Sequence, residues 1–138
     1  MFDSVIISGK SFNECSYRDA LLILSKSLLK LKTVGLWNKY FDKSNLFTGD
    51  MVKRTKPYPD VFLYAMKKMK EKPQNCIIIE DSVNGIIAAQ KAGVDVIAFI
   101  GNKMYRDNPE HMEKIKKLNV KYICSNMNEV KTILSECL

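Results

Sequence analysis

From residue 45 onward, short apolar runs alternate with stretches whose apolar residues recur every three or four positions. Leu46-Phe47-Thr48 reads as a short strand closed by Gly49-Asp50. The stretch 59–69 reads as a helix, because Phe62, Met66 and Met69 share one face and Pro59 suits a first turn. Pro73-Gln74-Asn75 is a turn, and 76–79 is a buried strand. The stretch 84–92 is a helix with Ile87, Ala88 and Ala92 on one side, stopped by Gly93. Residues 96–100 form another buried strand. Asn108-Pro109 is an N-cap and first position for a helix that turns Met112, Ile115 and Leu118 inward. Residues 122–124 are a last strand, followed by a helix carrying Val130, Ile133 and Leu134.

The first 44 residues are less regular. Val5-Ile6-Ile7 is a strand ending at Ser8-Gly9. Residues 10–16 are polar, and 18–36 reads as a long helix with Leu21, Leu24, Leu28 and Leu31 aligned. Gly35 ends that helix, with Leu36, Trp37, Tyr40 and Phe41 packing beyond it. Strands alternating with helices in short units indicate an α/β fold: a mostly parallel sheet in a Rossmann-like, three-layer arrangement. In such folds ligands sit at the carboxyl ends of strands. Glu80 and Asp81 fall at one of these ends.

The chain has 138 residues, enough for one compact domain, with 46% hydrophobic and 27% charged residues. It shows no signal peptide and no apolar run long enough to cross a bilayer, so the expectation is a cytoplasmic protein without membrane contact. Cys15, Cys76, Cys124 and Cys137 lack metal-type spacing; Cys76 and Cys124 read as small buried thiols. The net charge of +7 is read first as a set of lysine-rich helix faces in water, with attraction to anionic ligands such as phosphate esters as the other reading. No basic cluster with interleaved aromatics points to nucleic acid. Gly9-Lys10-Ser11 follows a strand, but Ser4 stands where a phosphate-binding P-loop needs its first glycine.

Two segments carry chemistry. Lys56-Pro57-Tyr58-Pro59-Asp60 presents a lysine at a rigid turn before a helix. Ile77-Ile78-Ile79-Glu80-Asp81-Ser82 sets two carboxylates at a strand tip, which suits Mg2+, a hard ion that takes one or two carboxylates plus substrate phosphate. Taken singly, each has a plainer reading: Asp81 caps the next helix with Glu80 exposed, and Lys56 is a surface lysine. The sole histidine, His111, reads as an exposed residue of a charged helix.

Gly49-Asp50-Met51-Val52, the Lys56–Phe62 segment, the Ile77–Ser82 segment, and Asn84-Gly85 through Ala92-Gly93 occur in that order. This order resembles the carboxyl-terminal half of the haloacid dehalogenase (HAD) superfamily, in its phosphoglycolate phosphatase and beta-phosphoglucomutase-like branch, over roughly residues 35–135. The resemblance implies Mg2+-dependent phosphoryl transfer on a phosphorylated small molecule. It implies that Lys56 neutralises the phosphoryl group and the nucleophile, and that Glu80 and Asp81 hold Mg2+, mainly through Asp81. It also implies an aspartate nucleophile on the first strand, with an acid–base aspartate two residues later, a phosphate-binding serine or threonine at another strand end, and a helical cap.

The chain departs from that pattern. No Asp-x-Asp pair occurs in its 138 residues. Two readings of the amino-terminal segment follow. In one, 2–7 is the nucleophile strand, with Ser8 and Lys10 in place of the two aspartates and the cap deleted. In the other, which we favour, 5–9 carries the phosphate-binding serine as Ser8, and the first motif and cap are absent. A variant of this places that serine at Ser16, since Cys15-Ser16-Tyr17-Arg18-Asp19 resembles the loop that follows it in relatives. Ser25 suits the role less, because it leaves a short helix before Gly35. The expectation is one incomplete core domain over 1–138, divergent in 1–44 and conventional in 45–138. It lacks its nucleophile, so the expectation is a core related to Mg2+-dependent small-metabolite phosphatases that is inactive alone; the alternatives are a non-catalytic binding module and one part of a split enzyme completed in trans. A missing central strand would leave an unpaired sheet edge open to a partner chain or a second copy.

Overall fold

The computed structural model describes residues 5–8, 20–23 and 46–137. Six strands form one sheet in the order β3-β2-β1-β4-β5-β6. They are β1 (Val5–Ser8), β2 (Ala20–Ile23), β3 (Leu46–Phe47), β4 (Cys76–Glu80), β5 (Asp95–Phe99) and β6 (Tyr122–Cys124). The helices are α1 (Asp60–Met69), α2 (Val83–Lys91), the one-turn α3 (Lys103–Arg106), α4 (Pro109–Lys117) and α5 (Met127–Cys137). Short 3-10 turns lie at Gly49–Met51 and Pro73–Asn75.

β4 and β5 are apolar almost throughout because both faces of the sheet are covered. Successive residues point to opposite sides. Ile78, Val96 and Ala98 join Ile6 against Phe62, Met66, Ile86, Ala89 and Ile115 of α1, α2 and α4. Ile77, Ile79, Ile97, Phe99 and Cys124 pack on the other side against Val130 and Leu134 of α5. Cys76 and Cys124 are buried free thiols, and burial, helped by the charge of Glu71, pushes the Cys76 thiol up to about 11. Local chemistry sets the helix ends. The Ser82 hydroxyl accepts from the Gly85 amide to open α2, and the Asn108 side chain accepts from the His111 amide to open α4. Gly93, at φ +73°, takes the left-handed conformation that stops the chain after α2.

The mixed α/β architecture and the mostly parallel sheet agree with the sequence. No cap stands among the described residues. Two points differ. Residues 20–23 form a strand, not the start of a helix over 18–36; the rest of that stretch lies outside the described residues. Ala-Leu-Leu-Ile is a short apolar run, and periodicity does not separate a buried strand from a helical turn at that length. It is drawn into the sheet by pairing, with Leu21 opposite Ile6 and Leu22 opposite Val5.

The second difference is the direction of β1. It pairs antiparallel with β2 and antiparallel with β4, while β2–β3, β4–β5 and β5–β6 are parallel. Five strands therefore run one way and β1 alone runs the other. β1 also fills the position between β2 and β4, so the described sheet has no central gap; its outer strands are β3 and β6.

Candidate phosphate and metal site

The loops after β3, β4 and β5 leave the same edge of the sheet, and the two sequence motifs meet there. The chain after β3 turns back at Thr55–Tyr58, closed by the Tyr58 amide donating to the Thr55 carbonyl at 3.0 Å, with a cis Lys56–Pro57 bond. Arg54 donates to both carboxylate oxygens of Asp60, at 3.1 and 2.9 Å, tying this turn to the first residue of α1. The paired guanidinium holds the Asp60 carboxyl below its usual range. Asp60, which the sequence offers only as one member of a motif, thus anchors the turn that presents Lys56. Its signal in sequence was an acid in the first turn of a helix six residues after an arginine.

Lys56 runs inward past the Phe62 ring, with the ammonium 5.7 Å from the ring centre. It donates to Glu80 Oε2 at 2.8 Å across 24 residues of sequence. The Lys56 side chain keeps 20% exposure, whereas Glu80 keeps 1%. A carboxylate buried to that degree needs partners for both oxygens. Oε1 accepts from the Asp81 amide at 3.2 Å, the Ser82 amide at 3.1 Å and the Ser82 hydroxyl at 2.9 Å. The plainer reading of the double-acid motif is therefore overturned. Ser82 caps α2, and Glu80 is not exposed but forms the hub of the turn. Gly85 explains why its helix can come so close: a Cβ there would overlap the Glu80 carboxyl group.

Asp81 is 2% exposed and lies beside this hub. His111, expected to be exposed in its charged helix, is half-buried and bonds from Nε2 to the Asp81 backbone carbonyl at 3.1 Å. Its ring stacks on Tyr105, with centroids 4.1 Å apart and planes 17° from parallel. Burial raises the Tyr105 hydroxyl above its usual range, and the charges of Asp81 and then Glu80 add to the effect. Tyr105 was not singled out from the sequence, and His111 was read there only as an exposed residue. The local pattern offered no signal, because the contact joins positions 30 residues apart.

The predicted serines fare differently. Ser8 ends β1 opposite Cys76, at the other end of β4 from Glu80, because β1 is reversed. Four residue-to-residue steps of strand separate the two ends, roughly 13 Å. The structure therefore does not bring Ser8 to Lys56, which also removes it as a stand-in for a catalytic aspartate. Ser16 and Ser25 lie outside the described residues.

No group of three or more His, Cys, Asp or Glu side chains converges as a closed metal cage among the described residues. What converges is a pair of hard-oxygen carboxylates at one strand tip with an ammonium alongside. Mg2+ keeps several waters and takes few protein carboxylates, so the donor set fits it and does not fit a tetrahedral thiolate or imidazole site. No described helix is long and apolar enough to cross a membrane.

Comparison with known proteins agrees with the fold. YhcW of Bacillus subtilis is 31% identical over 102 residues, covering 71% of this chain and 45% of that protein. The phosphorylated carbohydrates phosphatase of Thermotoga maritima is 35% identical over 72 residues, covering 52% of this chain and 32% of that protein. The chain thus spans less than half the length of these curated relatives. Among solved structures, the conserved haloacid dehalogenase-like protein ATU0790 from Agrobacterium tumefaciens superimposes with a TM-score of 0.72 at 27% identity, over 84% of this chain and 53% of that one. A HAD family hydrolase from Deinococcus radiodurans, solved with bound phosphate and sodium, gives 0.67 at 25%, over 79% and 46%. The family model for haloacid dehalogenase-like hydrolases matches residues 26–99, more than half of the chain, and takes in both Lys56 and the Glu80-Asp81 turn. With that match laid over a parallel sheet whose strand tip holds these residues together, the chain belongs to the haloacid dehalogenase-like hydrolases.

Proposed function

We propose that this chain carries the phosphate- and Mg2+-binding half of a phosphoryl-transfer site for phosphorylated small molecules. The observation that carries the reading is the Lys56–Glu80 pair at 2.8 Å, set directly beside the buried carboxylate of Asp81. Lys56 supplies a fixed positive charge for a phosphate oxygen. Asp81 is the member of the acid pair suited to hold the cation, while Glu80 positions the lysine and the turn. When bound, Mg2+ would neutralise charge on the phosphoryl oxygens. The similar HAD family hydrolase from Deinococcus radiodurans was solved with bound phosphate and sodium, which supports a reading in which the site takes an anion and a cation.

The covalent step needs a carboxylate nucleophile, and the 138 residues contain no Asp-x-Asp pair. We therefore propose that the chain by itself does not turn over phosphate esters. The test is hydrolysis of a generic aryl phosphate with Mg2+. Clear turnover that vanishes in both Asp81→Ala and Lys56→Ala would overturn the claim of inactivity. Binding is tested separately, by the shift in melting temperature on adding Mg2+ with inorganic phosphate. A shift in the native chain that Lys56→Ala and Asp81→Ala each abolish is the expected result; no shift in the native chain would remove the half-site.

The missing pair of aspartates also favours a second reading: a non-catalytic module, or one part of an enzyme completed in trans by a chain that brings the nucleophile. In this reading a partner or second copy joins through a sheet edge. β6 is the outer strand that exposes an apolar side chain, Ile123. Sedimentation of the chain across a concentration series checks it; a strict monomer that gains no phosphatase activity with any upstream-encoded polypeptide would end it.

A further inference from the structure

The Asp81 peptide is held from both sides. Its N–H donates to Glu80 Oε1, and its carbonyl accepts from His111, which arrives from α4. A carbonyl only accepts, so the bond fixes the proton of His111 on Nε2. The Ser82 amide is pinned in turn to Glu80 Oε1. With amide and carbonyl both engaged, the backbone of Asp81 cannot rotate without breaking a bond at one end, and the backbone sets where its carboxylate points.

The residues that deliver the imidazole form a braced unit. Tyr105 stacks on the ring and keeps its plane. The Tyr105 carbonyl accepts from the Asn108 amide at 3.1 Å, and the Asn108 side chain accepts from the His111 amide at 3.1 Å. Asn108 thus joins the residue that carries the stack to the residue that makes the bond. Around it, α4 is otherwise a charged surface helix with one fully buried side chain, Ile115. A histidine contacting the strand tip is not needed to seat such a helix.

We propose that His111, braced by Tyr105, is a positioning residue for Asp81, holding the turn after β4 in the one conformation that aims the Asp81 carboxylate at a bound cation. This deepens the half-site reading above and rests on it for the cation. The positioning itself has an independent readout.

The experiment compares His111→Gln, which keeps a side-chain N–H donor, with His111→Leu, which does not. Amide hydrogen exchange is read at Asp81 and Ser82 and, as an internal reference, at Ile97 and Ala98 of β5. In His111→Leu, exchange at Asp81 and Ser82 rises about three- to tenfold relative to the reference, the scale of one lost hydrogen bond. In His111→Gln it stays within about twofold of the native chain, because the donor remains. Calorimetric titration with Mg2+ in the presence of inorganic phosphate follows the same order, with affinity weakened in the leucine variant and retained in the glutamine variant. Unchanged exchange at Asp81 and Ser82 in His111→Leu, or a uniform rise that includes β5, would show a contact of packing only and sink the proposal. If His111→Leu fails to fold, Tyr105→Phe and Tyr105→Leu replace the pair, since the first keeps the stacked ring and the second removes it. A native chain that takes up no Mg2+ overturns the metal reading alone; the exchange pattern still decides the positioning.

Discussion

β4 and β1 lie side by side in the sheet, both short, apolar and bonded on either edge, yet they contribute to the site in opposite ways. β4 ends in Glu80 at the edge where the loops after β3 and β5 gather. β1 runs against it and delivers Ser8 to the far edge, beside Cys76. Position in a sheet is therefore not enough to place a residue in a site. Direction decides which end of the strand reaches the chemistry. A run such as Val-Ile-Ile is apolar throughout and reads the same in either direction, so its own residues do not fix that choice.

The largest effect is expected in the core between the two strands. Ile6 and Ile78 face each other in register, and both are fully buried. Ile6→Ala and Ile78→Ala should each cost about 2–5 kcal/mol in urea unfolding. The double variant should depart from additivity, because the two share one site in the core. A cost below about 0.5 kcal/mol for Ile6→Ala, with Ile78→Ala still severe, would take β1 out of the centre of the sheet.

Next in size is the β4 tip. Gly85→Ala drives a methyl group into the Glu80 carboxyl group and should cost about 1–3 kcal/mol, the range for overpacking. It should also weaken any phosphate-dependent rise in melting temperature, since Lys56 is held by the carboxylate that must move. Retained stability would mean that the turn after β4 is looser than its hydrogen bonds imply. Ser82→Ala removes the α2 cap and one of the donors to Glu80. A loss of about 1 kcal/mol is expected, measured in the same urea series.

The smallest effect is on pH dependence, and it belongs to the surface. Hydrogen bonds from the Ser125 backbone, then from the Ser125 and Asn126 side chains, hold Glu129 below its usual range. The Arg54 pairing does the same for Asp60. A depressed carboxyl stabilises the fold fully above its unfolded value, near 4, and loses that contribution as pH falls through the lower folded value. Melting temperature should therefore decline as pH drops below about 4, and Glu129→Gln should flatten part of that decline. Both groups are at the surface, so added salt should shrink the Asp60 part. A profile unchanged by Glu129→Gln would assign the acid sensitivity elsewhere.

Much of the region after residue 45 was legible because its signals are local. Asn108-Pro109 marks a helix start through a side chain and a ring within one turn, and Gly93 marks a stop through its own φ. The two motifs were visible as residue types at a fixed spacing. The amino-terminal strands were not legible to the same degree. Ala20–Ile23 carries the same apolar residues as a helical face, and only its partner across the sheet makes it a strand. His111 was misplaced for a similar reason: its neighbours in α4 are charged, and nothing nearby in sequence points to the Asp81 carbonyl.

Residue type and short-range pattern were enough to set the alternation of helix and strand, the chemistry of Lys56, Glu80 and Asp81, and the absence of an Asp-x-Asp pair. These follow from patterns a few residues long. Which contacts each acid makes was decided by the tertiary structure. The tertiary contacts gave Glu80 to Lys56 and to the turn, set Asp81 beside them under His111, and ran β1 antiparallel so that Ser8 ends at the opposite edge of the sheet. Those outcomes depend on contacts between residues 24 to 74 positions apart. Such contacts become favourable only once the sheet has brought the strands together and buried carboxylates must find partners.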